Sequence, residues 1–173
     1  NKNLVVIGSG INPVKFFPRR TYFNNMDCVG WFTISSGASG SRFYGIEFNN
    51  FLFENNPSNI LLENCAISGQ FNLNGNATTN LNLKNCVFYS QNGINFNFGN
   101  NIISNVLIQN CIFSGYIEGN NDIFISALID HCIFLGGNTF SQLQFVVISN
   151  SIFMNAFPSG VSNCTFTNNI CRV

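Results

Sequence analysis

The chain has 173 residues, long enough for one domain with a sizeable core, and combines 46% hydrophobic residues and 20 phenylalanines with only 8% charged residues. Seven basic and seven acidic side chains cancel, which removes any general electrostatic reason to expect nucleic acid or an anionic membrane as a partner. So high an apolar fraction excludes a disordered chain, and no uninterrupted apolar run approaches the ~18 residues that span a bilayer.

In chain order, the first predicted element is a strand in the opening NLVVIGSG, which starts abruptly after Asn1 and suggests a mature protein or a piece of a longer one. An insertion follows at 11–28, INPVKFFPRRTYFNNMDC, which holds three of the seven basic residues, Lys15, Arg19 and Arg20, among Phe16, Phe17, Tyr22 and Phe23. Basic groups interleaved with aromatics suit an acidic sugar or another protein chain. The competing reading is a loop that packs its rings and leaves its charges wet.

From residue 30 onward the chain repeats itself. GWFTI at 30–34 alternates apolar and polar residues, as do QFNLN at 70–74 and INFNF at 94–98. Between and after them run ILLENCAISG from Ile60, LNLKNCVFYS from Leu81, VLIQNCIFSG from Val106 and ALIDHCIFLG from Ala127. With the residue before each Cys-x-Phe-like pair as anchor, the series is Gly8, Gly45, Asn64, Asn85, Asn110, His131, Asn150 and Asn163. The intervals after Gly45 are 19, 21, 25, 21, 19 and 13 residues. A period near 20 is the mark of a solenoid.

Within a repeat the apolar residues follow a period of two that is reset once, at the anchor. A corner explains this: a short strand ends, Asn or Gly adopts positive φ, and the next strand begins with Cys pointing inward. Three short strands and three corners in about 20 residues make one coil of a parallel β-helix, with like residues stacked about 4.8 Å apart. The expected fold is all-β, a right-handed parallel β-helix of seven to eight coils with three short strands each, filling 1–173 as a single domain.

The N-C-x-F and N-C-x-I corners, the ladder of Asn64, Asn85, Asn110, Asn150 and Asn163, and the opening NLVVIGSG resemble the right-handed parallel β-helix proteins of the pectin-lyase-like superfamily, and in particular secreted surface proteins of Bacteroidetes type. The resemblance implies an extracellular or cell-surface location. It does not choose among lyases, hydrolases, esterases, tailspikes, adhesins and plain rods.

The repeated Asn-Cys pairs invite two readings. As a chemical array, Cys65, Cys86, Cys111, Cys132 and Cys164 with His131 would be metal or redox ligands, but zinc sites bring pairs two to four residues apart and none occurs here. As a structural ladder they are small inward groups, and Ser151 in the same slot argues against bridging between coils. Cys28 and Cys171 lie off the ladder and are free to pair elsewhere. His131, the single histidine, occupies an Asn slot with no recognisable nucleophile and orienting acid beside it.

Superfamily lyases and hydrolases need a base or clustered carboxylates. Here Asp27, Asp122, Asp130, Glu47, Glu54, Glu63 and Glu118 are dispersed. No motif calls for a cofactor or a metal. The binding candidates are therefore the insertion and the outward side of the third strand set, with Trp31, Asn72, Asn74, Asn95, Asn97 and Tyr116, residue types that suit neutral glycans. Neither end shows an amphipathic capping helix, so strand edges at the ends are candidates for self-association. The expected function is a structural or adhesive module without catalysis, assembling end to end or binding glycan; the rival is a polysaccharide-active enzyme or a fragment of one.

Overall fold

The computed structural model describes residues 5–7, 11–12, 17–18, 31–73, 78–89, 96–97, 102–115, 117–118, 123–139, 142–155 and 160–172. They form a parallel β-helix of three sheets. Sheet 1 stacks Val5–Ile7, Arg42–Tyr44, Ser58–Glu63, Thr78–Lys84, Ile102–Gln109 and Ile123–Asp130, then continues as the split pairs Gln142–Gln144 with Val147–Ser149 and Val161–Ser162 with Thr165–Thr167. Sheet 2 stacks seven two-residue strands, Glu47–Phe48, Ala66–Ile67, Val87–Phe88, Ile112–Phe113, Ile133–Phe134, Ile152–Phe153 and Ile170–Cys171. Sheet 3 stacks Trp31–Ser35, Asn50–Glu54, Phe71–Asn72 and Phe96–Asn97; Ile117–Glu118 pairs separately with Asn138–Thr139. The expected third strand thus exists at all three predicted segments. Among the described residues the single antiparallel pairing, Ile11–Asn12 with Phe17–Pro18, lies in the insertion. The stack makes about six turns, close to the expected seven to eight.

The joints explain why this sequence coils. In Ile102–Gln109 and the residues after it, Ile103, Val106, Ile108, Cys111 and Phe113 are buried, so the inward spacing runs three, two, three, two. Each spacing of three contains a residue in the left-handed region, Asn105 (φ 54°) and then Asn110 (φ 52°). Such a residue turns the chain while keeping its own side chain outside, and Asn and Gly bear this geometry at least cost.

Every described coil has two of these joints, five residues apart. The second member is the expected corner in six of them, Gly45, Asn64, Asn85, Asn110, His131 and Asn150, with φ between 51° and 64°, and Asn168 (φ 54°) in the last. The first member bends sheet 1 in mid-strand and was not expected: Gly40, Asn59, Asn80, Asn105, Ser126, Phe145 and Asn163, with φ between 53° and 85°.

This register corrects the expected place of Asn163 and Cys164. Ser162 pairs with Gln144, and Thr165 with Val147, so Asn163 stacks on Phe145 and Cys164 on Val146. The residue above Asn150 is Asn168, whose Nδ2 donates to Asn150 Oδ1 at 3.3 Å across 18 residues. A corner and a mid-strand bend share the same local pattern, an αL residue followed by an inward one. The 13-residue interval came from exchanging one for the other.

The core lies between the sheets. Phe88, Phe113, Phe134 and Phe153 form one column of nearly parallel rings, with centroids 4.7, 5.0 and 4.6 Å apart and interplanar angles of 8°, 4° and 8°. Towards the N-terminal coils Phe43, Phe48 and Phe51 pack edge to face, at 84° to 88°. Each such ring is fully buried, a contribution of roughly 1.5–3 kcal/mol in transfer free energy.

Candidate functional site

Among the described residues, the sheet 1 to sheet 2 corner brings together four thiols, Ser149, Ser151, His131 and Asp130. Inside it stands the thiol column. Cys65, Cys86, Cys111 and Cys132 are buried, and each Sγ has two backbone carbonyls within reach of its one hydrogen. Cys86, for example, reaches Lys84 O at 3.2 Å and Leu62 O at 3.4 Å. Ser151 continues the column: its Oγ donates to Ser149 O at 2.8 Å and accepts the Cys132 N–H at 3.1 Å. Asn169 follows, accepting the Ser151 N–H at 2.9 Å and donating to Ile148 O at 2.8 Å.

Ionisation is opposed along most of this column. The neighbouring Cys86 thiol, with burial, pushes Cys65 up; burial first, then the hydrogen bond donated to the next thiol, pushes up Cys86 and Cys111. At Cys132, the last thiol of the run, the hydrogen bond from Cys111 pulls the other way. Cys164, in the neighbouring column, makes the same local contacts, to Leu143 O and Ser162 O at 3.3 Å. Buried, hydrogen-bonded thiols of this kind are packing groups rather than nucleophiles.

Outside the corner the asparagine amides link coil to coil, Asn110 Nδ2 to Asn85 Oδ1 at 3.2 Å. The mid-strand joints do likewise, Asn80 Nδ2 to Asn59 Oδ1 at 2.8 Å. His131 interrupts the corner ladder, and Asp130 bridges the gap. Its Oδ1 accepts from Ser149 Oγ at 2.6 Å and from Asn150 Nδ2 at 2.9 Å, while Oδ2 accepts from His131 Nδ1 at 2.8 Å. The Ser149 bond, then the Asn150 bond and the adjacent histidine, hold the Asp130 carboxyl at about 2, below its ordinary 3.8. The hydroxyl here bonds to the acid and not to the imidazole, the reverse of the order that activates a serine nucleophile. Among the described residues no group of three His, Cys, Asp or Glu is placed to hold a metal ion.

The predicted binding residues divide. Trp31 (45% exposed) and Asn72 lie in strands of sheet 3, and Asn97 pairs directly with Asn72 in the same sheet. Thr33, Leu52 and Asn72 share one outward row, one step along from Trp31 and Asn50. Lys15, Arg19, Arg20, Tyr22, Asn74, Asn95 and Tyr116 fall outside the described residues, as does Cys28. Sequence reasoning missed Asp130 with Ser149, which lie 19 residues apart, and Phe145, the one apolar residue at positive φ among those described. The signal for both is the coil register: with the five-residue joint spacing in hand, Ser149 falls above Asp130 and Phe145 falls in an asparagine slot.

Among the described residues no helix is long and apolar enough to cross a membrane. Compared with known proteins, the chain matches no family model, no curated protein and no solved structure.

Proposed function

We infer that the chain is a non-catalytic structural or adhesive module, extracellular or at the cell surface, whose outer faces bind neutral glycan or further copies of the rod. Kinship with the pectin-lyase-like β-helix proteins belongs to the same reading and rests on the corner motifs. One observation carries the inference: among the described residues, the thiols, the corner amides and Asp130 are committed to joining coils. Thiols meet carbonyls, corner amides meet amides, and Asp130 is engaged by Ser149, Asn150 and His131. On sheet 3, away from that corner, Trp31, Thr33, Asn50 and Asn72 face outward with Leu52 among them, a surface suited to stacking and neutral hydrogen bonding.

The test incubates the protein with neutral and acidic polysaccharides, and measures retention by affinity electrophoresis, self-association by sedimentation, and released sugar ends. Retention or assembly without products is expected. Accumulating products establish the rival polysaccharide-active enzyme; an inert monomer overturns the adhesive reading. Replacing Arg19 and Arg20 with Ala assigns any acidic-glycan or subunit contact to the 11–28 insertion.

A further inference from the structure

Phe145 departs from the rule that governs its column. The residues stacked with it are Gly40, Asn59, Asn80, Asn105, Ser126 and Asn163, all at positive φ. Glycine, asparagine and serine fit this slot because they are small or can hydrogen-bond locally. A phenylalanine at φ 54° has its Cβ crowded by the following carbonyl, a cost of roughly 1–2 kcal/mol. Burial of the ring offsets little of that cost, since the residue is 59% exposed. Phe145 offers no amide or hydroxyl to its column, and Asn163 above it donates to its neighbour Ser162 at 3.5 Å. Strain held at an exposed aromatic is a signature of a functional position.

The surroundings define the ligand class. Below Phe145 stands the Ser126 hydroxyl and above it the Asn163 amide, so the ring is flanked along the rod axis by uncharged donors and acceptors one coil away on each side. Two residues along the strand, Val147 (39% exposed) sits in register with Leu128 (37% exposed), which widens the apolar platform by one row. The Phe145 column carries no charge from Gly40 to Asn163. A pyranose ring is about as long as one coil repeat of ~4.8 Å. Its C–H face can lie on an aromatic ring while hydroxyls at either edge meet groups one coil up and one coil down.

We propose that Phe145 is the stacking platform of a neutral-glycan site, with Ser126 and Asn163 as its polar flanks. The proposal rests on the adhesive reading above and adds a site, on sheet 1, distinct from the Trp31 face of sheet 3. The experiment measures retention on hydroxyethylcellulose, dextran and galactomannan, together with thermal unfolding, for the wild type and for Phe145→Asn, Phe145→Tyr and Trp31→Ala.

Phe145→Asn restores the column's preferred residue, so it is expected to raise Tm by about 2–4 °C while weakening retention at least tenfold. Phe145→Tyr keeps the ring and retains binding. A lower Tm for Phe145→Asn shows the ring to be a packing group and overturns the proposal, as does unchanged retention. If Trp31→Ala alone abolishes retention, the adhesive reading stands and the Phe145 site falls. Absence of wild-type retention on all three polysaccharides rejects the site, and self-association that is lost in Phe145→Asn then assigns the ring to a protein contact.

Discussion

Tyr89 donates its phenolic hydrogen to the Glu47 carboxylate across an intervening coil, 42 residues away in sequence. Register shows how it reaches. Ala66 separates Glu47 from Val87, and Ser68 is one coil below Tyr89; both are small. Ala66 occupies an outward position yet is fully buried. The pair therefore clamps three coils over a position where stacking alone joins only neighbours. Tyr89→Phe removes one charge-assisted bond at a partly exposed site and is expected to cost about 1 kcal/mol, read as a lower urea midpoint with unchanged slope.

The thiol column makes a sharper prediction. Cys111→Ser keeps a donor for Gln109 O and Leu83 O and follows the precedent of Ser151, so it is expected to fold with a small loss. Cys111→Asp places a carboxyl between two buried thiols and costs several kcal/mol, ~1–3 being the penalty for one unsatisfied polar group alone. In alkylation with mass mapping, Cys171, which is exposed, reacts in the native protein, while Cys65, Cys86 and Cys111 react only on unfolding.

Gly69 is fixed by crowding and not by its φ. A Cβ built there would stand 2.4 Å from Asn50 Oδ1 and 2.5 Å from Asn49 O. Asn50 Oδ1 is also the acceptor for the Gln70 N–H at 2.8 Å. Gly69→Ala thus both overpacks the corner and displaces a backbone partner, and an expected cost of about 1–3 kcal/mol is checked by thermal unfolding. Asn50→Ala on its own isolates the lost bond, and in the double variant the Asn49 carbonyl still crowds the methyl group.

The coil architecture was legible because its signals are local. Period-two alternation and a reset at each Asn-Cys pair are properties of ten-residue windows, and they place Asn85 or Asn110 without knowledge of neighbouring coils. Register between coils is not local. NILLEN at 59–64, NLNLKN at 80–85 and NVLIQN at 105–110 contain both joints of a coil, but the first was masked by the stronger Cys-x-Phe pattern beside the second. Once the last coil offered Asn163-Cys164-Thr165-Phe166, the same four-residue pattern pointed to the wrong joint. Only the pairing of Thr165 with Val147 separates them. Side-chain function was less legible for a related reason: Asp130 and Ser149, or Phe145 and Asn163, meet only through the stack.

Asp130 supplies the pH dependence. Its carboxyl is held at about 2 against an ordinary 3.8 by Ser149, Asn150 and His131. A group whose pKa is lower in the folded state binds its proton more readily in the unfolded state, so it stabilises the fold fully above about pH 4. That stabilisation is lost as the pH falls towards 2. The carboxylate is the bridge across the gap that His131 leaves in the asparagine ladder, so protonation weakens the joint between the coils of His131 and Asn150. Asp130→Asn keeps an acceptor for Ser149 and Asn150 though not for His131, and has no proton to gain. The wild type is expected to exceed this variant in Tm at pH 6, with the difference shrinking between pH 4 and pH 2. A difference that stays constant over that range would show that the Asp130 contacts contribute through shape alone and not through charge.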